Sequence, residues 1–327
     1  MPIPIKIGET LRGRYRIRRI IGQGGMGCIY LADDLRLEGR QCALKEVEHD
    51  RTLPSKMVQE ARHQFMREAT VLARLDHPNL PKVSDFFTNG PRDYLVMDYV
   101  PGKDLRSLMT SAQEKKGFLP ETDILDWANQ LSDALTYLHQ QSPPILHRDI
   151  KPSNLKLTPS GVLKLVDFGL VKLLAPGEVT ITILQGQGTA LYTPFEQYGG
   201  DIGHTDARSD IYAFAATLYH LLTNHPPADA RERFLRPAAL IEPKNYNPAI
   251  NLRTQRAILW ALELHPDDRP ENVEVFRDAL IGSRPIFTSS GRRIQPKYSL
   301  FQSKVEQVLA ILAGMLALLT LLITLLH

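Results

Sequence analysis

Residues 145–157 read ILHRDIKPSNLKL and bring together polar side chains of several kinds between apolar flanks. A carboxylate can accept a proton, an amide oxygen can ligate a cation, and a Lys or Arg can pair with an anion. Such a mixture could perform acid–base or ion-binding chemistry, and this stretch alone does not decide which. The side chains that could perform it belong to His147, Arg148, Asp149, Lys151 and Asn154.

Two earlier features could serve the same site. The stretch GQGGMG lies between two runs with the alternation typical of strands, and its glycines would let backbone N–H groups approach phosphates closely. It does not open a helix, which excludes the dinucleotide-binding fold, although a tight hairpin turn remains an alternative. Lys45 follows on the next strand-like run, and Glu68 on a helical run could pair with it. Taken singly, either residue could equally be an ordinary surface charge.

The elements that must position these residues change character along the chain. Residues 14–48 alternate as strands do, SKMVQEARHQFMREATVLARL has helical spacing, and KVSDFF and DYLVMDYV again resemble strands. Beyond Gly102 the pattern is mostly helical. We therefore predict an α+β fold with a small β-rich lobe and a larger helical lobe, joined near residues 98–102.

The order of the motifs carries more information than any one of them. After Lys45 and Glu68 come HRDIKPSN and then LVDFGL, which contains Asp167, Phe168 and Gly169. In this order the chain resembles the eukaryotic-type protein kinases, and specifically the bacterial (Hanks-type) serine/threonine kinases, from about Tyr15 to Leu280. The resemblance implies the bilobal protein-kinase fold, with ATP and Mg²⁺ as cofactors and proteins as substrates.

The resemblance also implies catalytic roles. Lys45 would hold the α- and β-phosphates and pair with Glu68, and Asp149 would accept the proton of the substrate hydroxyl. Asn154 and Asp167 would hold magnesium. The resemblance places Lys151 and Thr189 at the acceptor site beside Asp149. Lys151 marks Ser/Thr rather than Tyr kinases, and Thr189 belongs to the motif GTALY.

The nucleotide pocket is implied in the same way. The phosphates would lie under Gly22, Gly24 and Gly27, and the base would lie between Ile21, Ile29 and Ala43. Met97 would be the gatekeeper, the Val100 backbone would bond adenine, and Asp104 would lie near the ribose. Beside the pocket, an apolar stack that links the lobes would comprise Leu72, Val83, His147 and Phe168.

The chain departs from the family pattern at the floor of this pocket and in one structural motif. Lys156 stands where the family usually has an apolar residue. A Lys can lay its methylene stem beneath a ring and send its ammonium to water, and we favour this reading because it avoids desolvating the charge. A weakened nucleotide pocket is the alternative. The usual Ala-Pro-Glu reads Pro194-Phe195-Glu196, and we expect Glu196 to keep its ion pair with Arg269.

Because all the polar motif residues are present, we expect an active enzyme. A nucleotide-binding scaffold without turnover, tethered to a membrane, is the runner-up and rests on Lys156. A small-molecule phosphotransferase is the third reading, disfavoured by Lys151 and GTALY. The family also implies a switch, in which Arg148 receives a phosphate from Thr180 or Thr182.

Charge and cysteine content limit the surroundings. The net charge is +3, and the basic excess is concentrated in residues 284–304, so that a nucleic-acid partner is not expected. The cysteines, Cys28 and Cys42, suit a reducing compartment. A redox pair between their strands is an alternative to two ordinary small strand residues.

The C-terminal stretch predicts a membrane anchor. Residues 308–326 read VLAILAGMLALLTLLITLL without a charge, and as a helix they would span about 28 Å, close to the hydrocarbon thickness of a bilayer. A buried helix is the alternative, but such a helix usually keeps a polar stripe. The basic flank predicts a single-pass cell-membrane protein with a cytoplasmic catalytic domain. Small residues at 310, 314, 313 and 317 give a weak indication of self-association. We therefore divide the chain into a kinase domain (14–282), a basic juxtamembrane linker (283–304) and a transmembrane helix (305–327).

Overall fold

The computed structural model describes residues 4–24, 27–48, 54–167, 190–198 and 205–282. The N-terminal lobe is built on an antiparallel six-stranded sheet in the order β1-β2-β3-β4-β6-β5. The strands are β1 (Thr10–Leu11), β2 (Tyr15–Gly24), β3 (Gly27–Asp34), β4 (Gln41–Glu48), β5 (Val83–Asn89) and β6 (Arg92–Asp98).

Both faces of this sheet are apolar. Along β4, Ala43 and Val47 enter a main core that continues into the C-terminal lobe, while Cys42 and Leu44 point into a second cluster on the opposite face. We call this second cluster the outer core. Its members lie on the six strands of the sheet, and they are Leu11, Tyr15, Ile17, Cys28, Tyr30, Ala32, Cys42, Leu44, Phe87, Tyr94 and Val96. Cys28 and Cys42 are free thiols within it, so the redox pair is not formed.

Helix α1 (Ser55–Arg74) packs on the inner face of the sheet. Its buried residues Phe65, Glu68, Ala69 and Leu72 recur at helical spacing and form one stripe, so that the helix presents Glu68 to the interior together with the apolar side chains. The helix ends at Arg74, and Leu75 leaves in an extended conformation. The stripe thereby fixes where Glu68 lies relative to the cleft between the lobes.

The C-terminal lobe is helical, as the sequence predicted. Its central helix α4 is buried along almost its whole length, begins at the side-chain cap of Asp206 and ends at Asn224 in a left-handed conformation. The other helices of this lobe are short or amphipathic. The helices of the lobe are α2 (Leu105–Glu114), α3 (Glu121–His139), the central α4 (Ala207–Thr223), α5 (Ala230–Leu235), α6 (Pro243–Tyr246), α7 (Leu252–Ala261) and α8 (Val273–Ile281).

A small three-stranded sheet lies where the two lobes meet. Strand β8 (Leu155–Leu157) is its centre and pairs with β7 (Lys103–Asp104) and β9 (Leu163–Leu165). Strand β6 ends at Asp98 and β7 begins at Lys103, so residues 99–102 form the hinge between the lobes. The predicted bilobal α+β architecture and the predicted junction are therefore confirmed.

No helix in the described part of the chain is long and apolar enough to cross a membrane. The apolar stretch 308–326 and the linker 283–304 lie outside the described residues. The membrane anchor and the domain boundaries therefore remain predictions.

Candidate active site

The loop formed by residues 146–151 is held in place by Asp210, a fully buried carboxylate on α4. The backbone N–H groups of His147 and Arg148 donate to its two oxygens at 2.9 and 2.8 Å. The Nε2 atom of His139, at the end of α3, lies 2.9 Å from the same carboxylate. Burial by itself would raise the pKa of Asp210, but these hydrogen bonds outweigh it and the pKa lies below its usual range. The carboxylate is thus charged and pins the loop from behind.

Asp149 projects from this loop with both carboxylate oxygens in contact with other motif residues. Lys151 Nζ lies 2.8 Å from Oδ1, and Asn154 Nδ2 donates to Oδ2 at 2.8 Å. The same amide nitrogen donates to the backbone oxygen of Asp149, also at 2.8 Å. The short 3₁₀ turn Pro152–Asn154 brings Asn154 back toward Asp149. The carboxylate is therefore oriented by a cation on one side and an amide on the other.

Asp167 forms an ion pair with Lys45, which reaches it from β4 in the other lobe. Its backbone has φ of 60°, in the left-handed region that residues other than glycine seldom adopt. Burial alone would raise the pKa of Asp167, yet Lys45 and then Lys151 outweigh this effect and lower it. The carboxylate therefore stays ionised at the point where the lobes face each other.

The oxygen groups at this point fit magnesium. Asp167 offers a charged carboxylate, and because Asn154 uses its amide nitrogen toward Asp149, its Oδ1 is the atom that could ligate a cation. Mg²⁺ usually takes one or two protein oxygens and completes its shell with waters and phosphates. In the described ranges no cluster of three or more His, Cys, Asp or Glu side chains could hold a metal alone. The donor set thus fits a cation shared with a phosphate ligand.

The described glycines of this stretch lie at the facing ends of β2 and β3, where Gly24 pairs with Gly27 and Gly22 lies opposite Ile29. Gly27 has φ of 147°, and a Cβ atom there would lie 2.3 Å from the backbone oxygen of Glu46. Only glycine allows β3 to pass so close to β4 at this point. The hairpin is therefore fixed in register on the strand that carries Lys45.

The residues predicted to surround a base lie on β2, β3, β4 and β6 and in the hinge. Ala43 and Met97 are buried and directly opposite each other across β4 and β6. Ile21 and Ile29 are partly buried against the main core, and Val100 is buried within the hinge. Ala43 and Met97 are direct neighbours, and the role of the five residues in binding a base stays a prediction.

Gly102 lies in the hinge, and the sequence identified it only as the point beyond which the pattern becomes mostly helical. Its φ is 105°, and a Cβ atom there would lie 2.1 Å from the backbone oxygen of Leu157. The hinge backbone at position 102 therefore lies so close to β8 that a residue with a side chain would not fit there. A glycine directly before a strand–helix transition is the signal that could have identified it.

Asp104 has a structural contact that was not predicted. It is the N-cap of α2, and its carboxylate accepts from the Ser107 backbone N–H at 2.8 Å and from the Ser107 hydroxyl at 3.0 and 3.1 Å. A capping Asp stabilises a helix start because it satisfies an otherwise free N–H. Its expected place near a ribose stays a prediction.

Lys156, on β8, is half-buried, and its Nζ atom lies over the ring of Tyr99, 5.6 Å from the centroid. The sequence reading expected the ammonium in water and did not identify Tyr99. The pKa of Lys156 lies below its usual value, chiefly because the side chain is half-buried. The negative charge of Asp104 opposes this shift, and the positive charge of Arg19 adds to it. The ammonium is thus found at the hinge, against an aromatic face.

Glu68 is almost fully buried on α1, and its carboxylate accepts from the amide of Gln64 at 2.7 Å. Its ion pair with Lys45 remains a prediction. Leu72, Val83 and His147 of the apolar stack are all buried. Phe168, Thr180, Thr182 and Thr189 lie outside the described residues.

The predicted pair of Glu196 and Arg269 is confirmed. Two parallel contacts of 2.7 and 2.9 Å join the guanidinium to the carboxylate, and the Ser209 hydroxyl donates to Glu196 at 2.7 Å. Arg269 also donates to the backbone oxygens of Glu263 and Leu264. The pair therefore ties the segment 190–198 to the helical lobe.

Comparisons with known proteins agree with this geometry. The protein kinase domain model matches residues 15–278. A probable serine/threonine-protein kinase of Clostridium acetobutylicum is 34% identical over 281 residues, covering 84% of this chain and 40% of the relative. The serine/threonine-protein kinase PrkC of Bacillus subtilis is 34% identical over 276 residues, covering 82% of this chain and 40% of PrkC.

Solved structures give the same answer. The crystal structure of the Mycobacterium tuberculosis PknI kinase domain, in a cysteine-to-alanine variant, has a TM-score of 0.65 and 30% identity, and covers 85% of this chain and 98% of that domain. The chain spans about two fifths of the length of the curated relatives it matches, with 40% of the first two covered. Within that shared part, the chain belongs to the protein kinase family and carries a kinase domain of the bacterial serine/threonine type.

Proposed function

We propose that the protein is an active serine/threonine kinase that transfers the γ-phosphate of ATP to Ser or Thr hydroxyls of proteins. The observation that carries this proposal is the Asp149 carboxylate, fixed by Lys151 and Asn154 beside the ion pair of Lys45 and Asp167. An inactive scaffold has no need of a base held from both sides. The relatives named as serine/threonine-protein kinases support the same conclusion.

Each polar residue has a distinct task in this proposal. Asp149 accepts the proton of the acceptor hydroxyl, and Lys151 holds that carboxylate and neutralises charge near the transferred group. Lys45 positions the nucleotide phosphates, and the backbone of Gly22, Gly24 and Gly27 covers them. Thr189 lies outside the described residues, and its assignment to the acceptor site rests on the GTALY motif alone.

Asn154 and Asp167 would hold magnesium. A bound magnesium ion would spread the negative charge that develops on the transferred group. The chain itself supplies the remaining positive charge from Lys45 and Lys151, which both lie close enough to Asp167 to lower its pKa. Catalysis then consists of positioning and charge stabilisation, as phosphoryl transfer requires.

The test is phosphate transfer by the purified full chain, supplied with γ-labelled ATP, magnesium and a mixture of Ser- and Thr-containing proteins. Asp149→Asn should nearly abolish transfer and keep nucleotide binding, because the carboxylate lies at the site of the acceptor hydroxyl and not in the pocket for the adenine ring. Lys45→Met should lose transfer through poorer phosphate positioning. Asp133→Asn is the matched control, since it makes the same chemical change in an exposed surface ion pair on α3.

Transfer at the parent rate by Asp149→Asn would show that another group is the base. A parent chain that binds nucleotide but never transfers phosphate would favour the scaffold reading. The residue that favours the scaffold is Lys156, a half-buried cation at the position where the resembled family usually has an apolar residue.

We further propose that phosphorylation of Thr180 or Thr182 activates the enzyme through Arg148. The Nε atom of Arg148 is buried and has no hydrogen-bond partner among the described residues. Burial lowers the pKa of this guanidinium, and Asp210 and Glu68 oppose the shift. A phosphate would bring strong acceptor oxygens and about −1.5 to −2 charges to that group and would order the segment around it.

Mass spectrometry of the active full chain tests this switch. Phosphate should appear on Thr180, Thr182 or both, and the Thr180→Ala, Thr182→Ala double variant should activate poorly. Thr122→Ala, at an exposed threonine of α3, serves as the control. Full activity of the double variant, with no phosphate between residues 170 and 193, would refute the switch and leave the kinase assignment intact.

We also propose that residues 308–326 anchor the chain in the cell membrane, with the kinase domain in the cytoplasm. The support is the 19-residue uncharged stretch behind a basic linker. The full chain should stay with membranes in high salt and be released by detergent, whereas a chain ending at Gly282 should remain in the supernatant as a folded domain. Release of the full chain by salt would instead indicate peripheral attachment.

Confinement to a bilayer would raise the encounter rate between copies of the chain, and we propose that one copy phosphorylates another there. At equal protein amount the full chain in membranes should therefore reach activity sooner than the chain ending at Gly282. Equal activation times for the two forms would contradict modification between copies in the membrane.

A further inference from the structure

Three side chains from three parts of the fold meet at the mouth of the cleft. Tyr99 lies in the hinge, Lys156 lies on β8 of the C-terminal lobe, and Arg19 lies on β2 of the N-terminal lobe. The Lys156 ammonium lies over the Tyr99 ring at 5.6 Å from its centroid. Arg19 Nη2 donates to the Tyr99 hydroxyl at 3.4 Å. One aromatic side chain therefore contacts a cation from each lobe.

On the small sheet one carboxylate lies beside Lys156, and it caps a helix while still attracting the ammonium. Its register partners across the small sheet are Asp104 and Lys164. Asp104 uses its carboxylate to cap α2, and Lys164 points its own ammonium to the backbone oxygen of Leu80 at 3.2 Å. Among the described residues Lys156 makes no ion pair within 4.0 Å. The Tyr99 ring is the group against which the half-buried ammonium lies, and Asp104 attracts the same charge without a salt bridge.

The position of that charge matters for a base stacked on β8. An ammonium directly beneath a purine would have to lose its hydration shell, which is costly without a counter-ion. If the ammonium is drawn sideways to the hinge, the four methylene groups of the side chain are left beneath the base, where they can be buried favourably. An aromatic face at the hinge can hold the ammonium there, because the ring attracts cations without carrying a charge.

We propose that Tyr99 is a positioning residue for nucleotide binding, which holds the Lys156 ammonium at the hinge so that the methylene stem of Lys156 forms the floor of the base pocket. This inference rests on the proposed function, since it assumes that the pocket binds ATP. Tyr99 acts through Lys156, and its effect on binding therefore depends on the charge at position 156. Arg19 contacts the hydroxyl of the same ring, but the proposal requires only the ring face.

A double-mutant cycle on the full chain tests this dependence. The dissociation constant of a non-hydrolysable ATP analogue with magnesium is measured for the parent, Tyr99→Leu, Lys156→Met and the double variant. Tyr99→Leu should weaken binding about three- to tenfold when Lys156 is present, the range expected for a lost cation–π contact. In the Lys156→Met background the same change should have no effect, because Met gives an uncharged stem of similar length.

Two controls separate the ring from its hydroxyl and from folding. Tyr99→Phe keeps the ring and should bind the analogue within about twofold of the parent. Thermal unfolding checks that each variant is folded. If Tyr99→Leu fails to fold, the Lys156→Met variant alone still tests the proposal. We expect Lys156→Met to bind the analogue at least as tightly as the parent does, and weaker binding would contradict the proposal. In the transfer assay Tyr99→Leu should raise the KM for ATP and leave kcat unchanged.

Equal weakening by Tyr99→Leu in both backgrounds would overturn the proposal, because the ring would then act by shape alone. Unchanged binding by Tyr99→Leu beside intact Lys156 would also overturn it. Both results leave ATP binding by the parent, and hence the proposed function, in place. A parent chain that binds no nucleotide would instead overturn the two proposals together.

Discussion

Replacing Asp210 should separate the stability of the domain from the precision of its active site. In Asp210→Asn one of the two acceptor oxygens becomes an NH₂ group, so one of the backbone N–H groups of His147 and Arg148 loses its acceptor. An unsatisfied buried donor costs about 1–3 kcal/mol, and the hydrogen bonds that remain lose their charge assistance. We expect a loss of about 2–4 kcal/mol in the free energy of unfolding. The domain should still fold, because typical domains have about 5–15 kcal/mol of stability.

The same substitution should affect turnover through Arg148. This residue has φ of 62°, a conformation that costs a residue other than glycine about 1–2 kcal/mol and is held here by its N–H bond to Asp210. When that bond is lost, the residue can relax and shift its neighbour Asp149. A misplacement of about 1 Å can cost about a hundredfold in rate. We therefore expect kcat to fall by about that factor, whereas the KM for ATP should stay within about threefold, because the base pocket lies on other elements.

Urea denaturation followed by circular dichroism, together with steady-state transfer kinetics, measures both effects on the full chain. The control is again Asp133→Asn, an exposed pair with Arg277 for which about 0–1 kcal/mol is expected. Our reasoning would be refuted if Asp210→Asn were no less stable than this control. Parental kcat in a destabilised variant would show that Asp210 supports the fold without positioning the loop.

Three further substitutions probe other parts of the structure. Arg269→Leu should lower the free energy of unfolding by about 3–5 kcal/mol, because the Glu196 carboxylate loses its cation and the backbone oxygens of Arg208, Glu263 and Leu264 lose a donor. A chemical denaturation curve like that of the parent would contradict this. Gly27→Ala should weaken ATP binding, because the new Cβ would lie 2.3 Å from the backbone oxygen of Glu46 and the hairpin would have to shift. An unchanged dissociation constant for ATP would argue against a fixed hairpin. Burial, together with neighbouring positive charge, lowers the pKa of His220 to about 4, so the unfolded chain binds more protons than the folded one between about pH 6.5 and pH 4. Stability should therefore fall by about 1–2 kcal/mol between pH 7 and pH 5, and His220→Asn should flatten that part of the profile.

The residues of the active site could be predicted because each of them belongs to a motif with a fixed order along the chain. Lys45, Asp149, Asn154 and Asp167 come together from both lobes although the sequence separates Lys45 from Asp167 by 122 positions. Alternation and helical spacing likewise gave the two lobes and the hinge, since apolar periodicity follows directly from burial on one face or stripe.

The contacts that could not be predicted join residues without a motif between them. His139 and Asp210 are 71 positions apart, and nothing in their local sequence marks the contact of the imidazole with the carboxylate. The direction of the Lys156 side chain depends on Tyr99, whose position is set only when the hinge is folded. The cap at Asp104 was available to sequence reasoning, because an Asp just before an apolar helical run is a common helix start.

The outer core has a consequence for how the small lobe moves. Because it is built entirely from strands of one sheet, its cohesion is independent of the helical lobe. Aromatic stacking within it, between Phe87 and its neighbours Tyr15 and Tyr94 at 5.7 and 5.1 Å, stiffens the sheet from behind. We therefore expect the sheet to move about the hinge as one rigid unit, which we call the plate. Amide hydrogens of β3, β4 and β6 should exchange with solvent only when the whole plate unfolds, whereas those of residues 99–102 should exchange through smaller local openings.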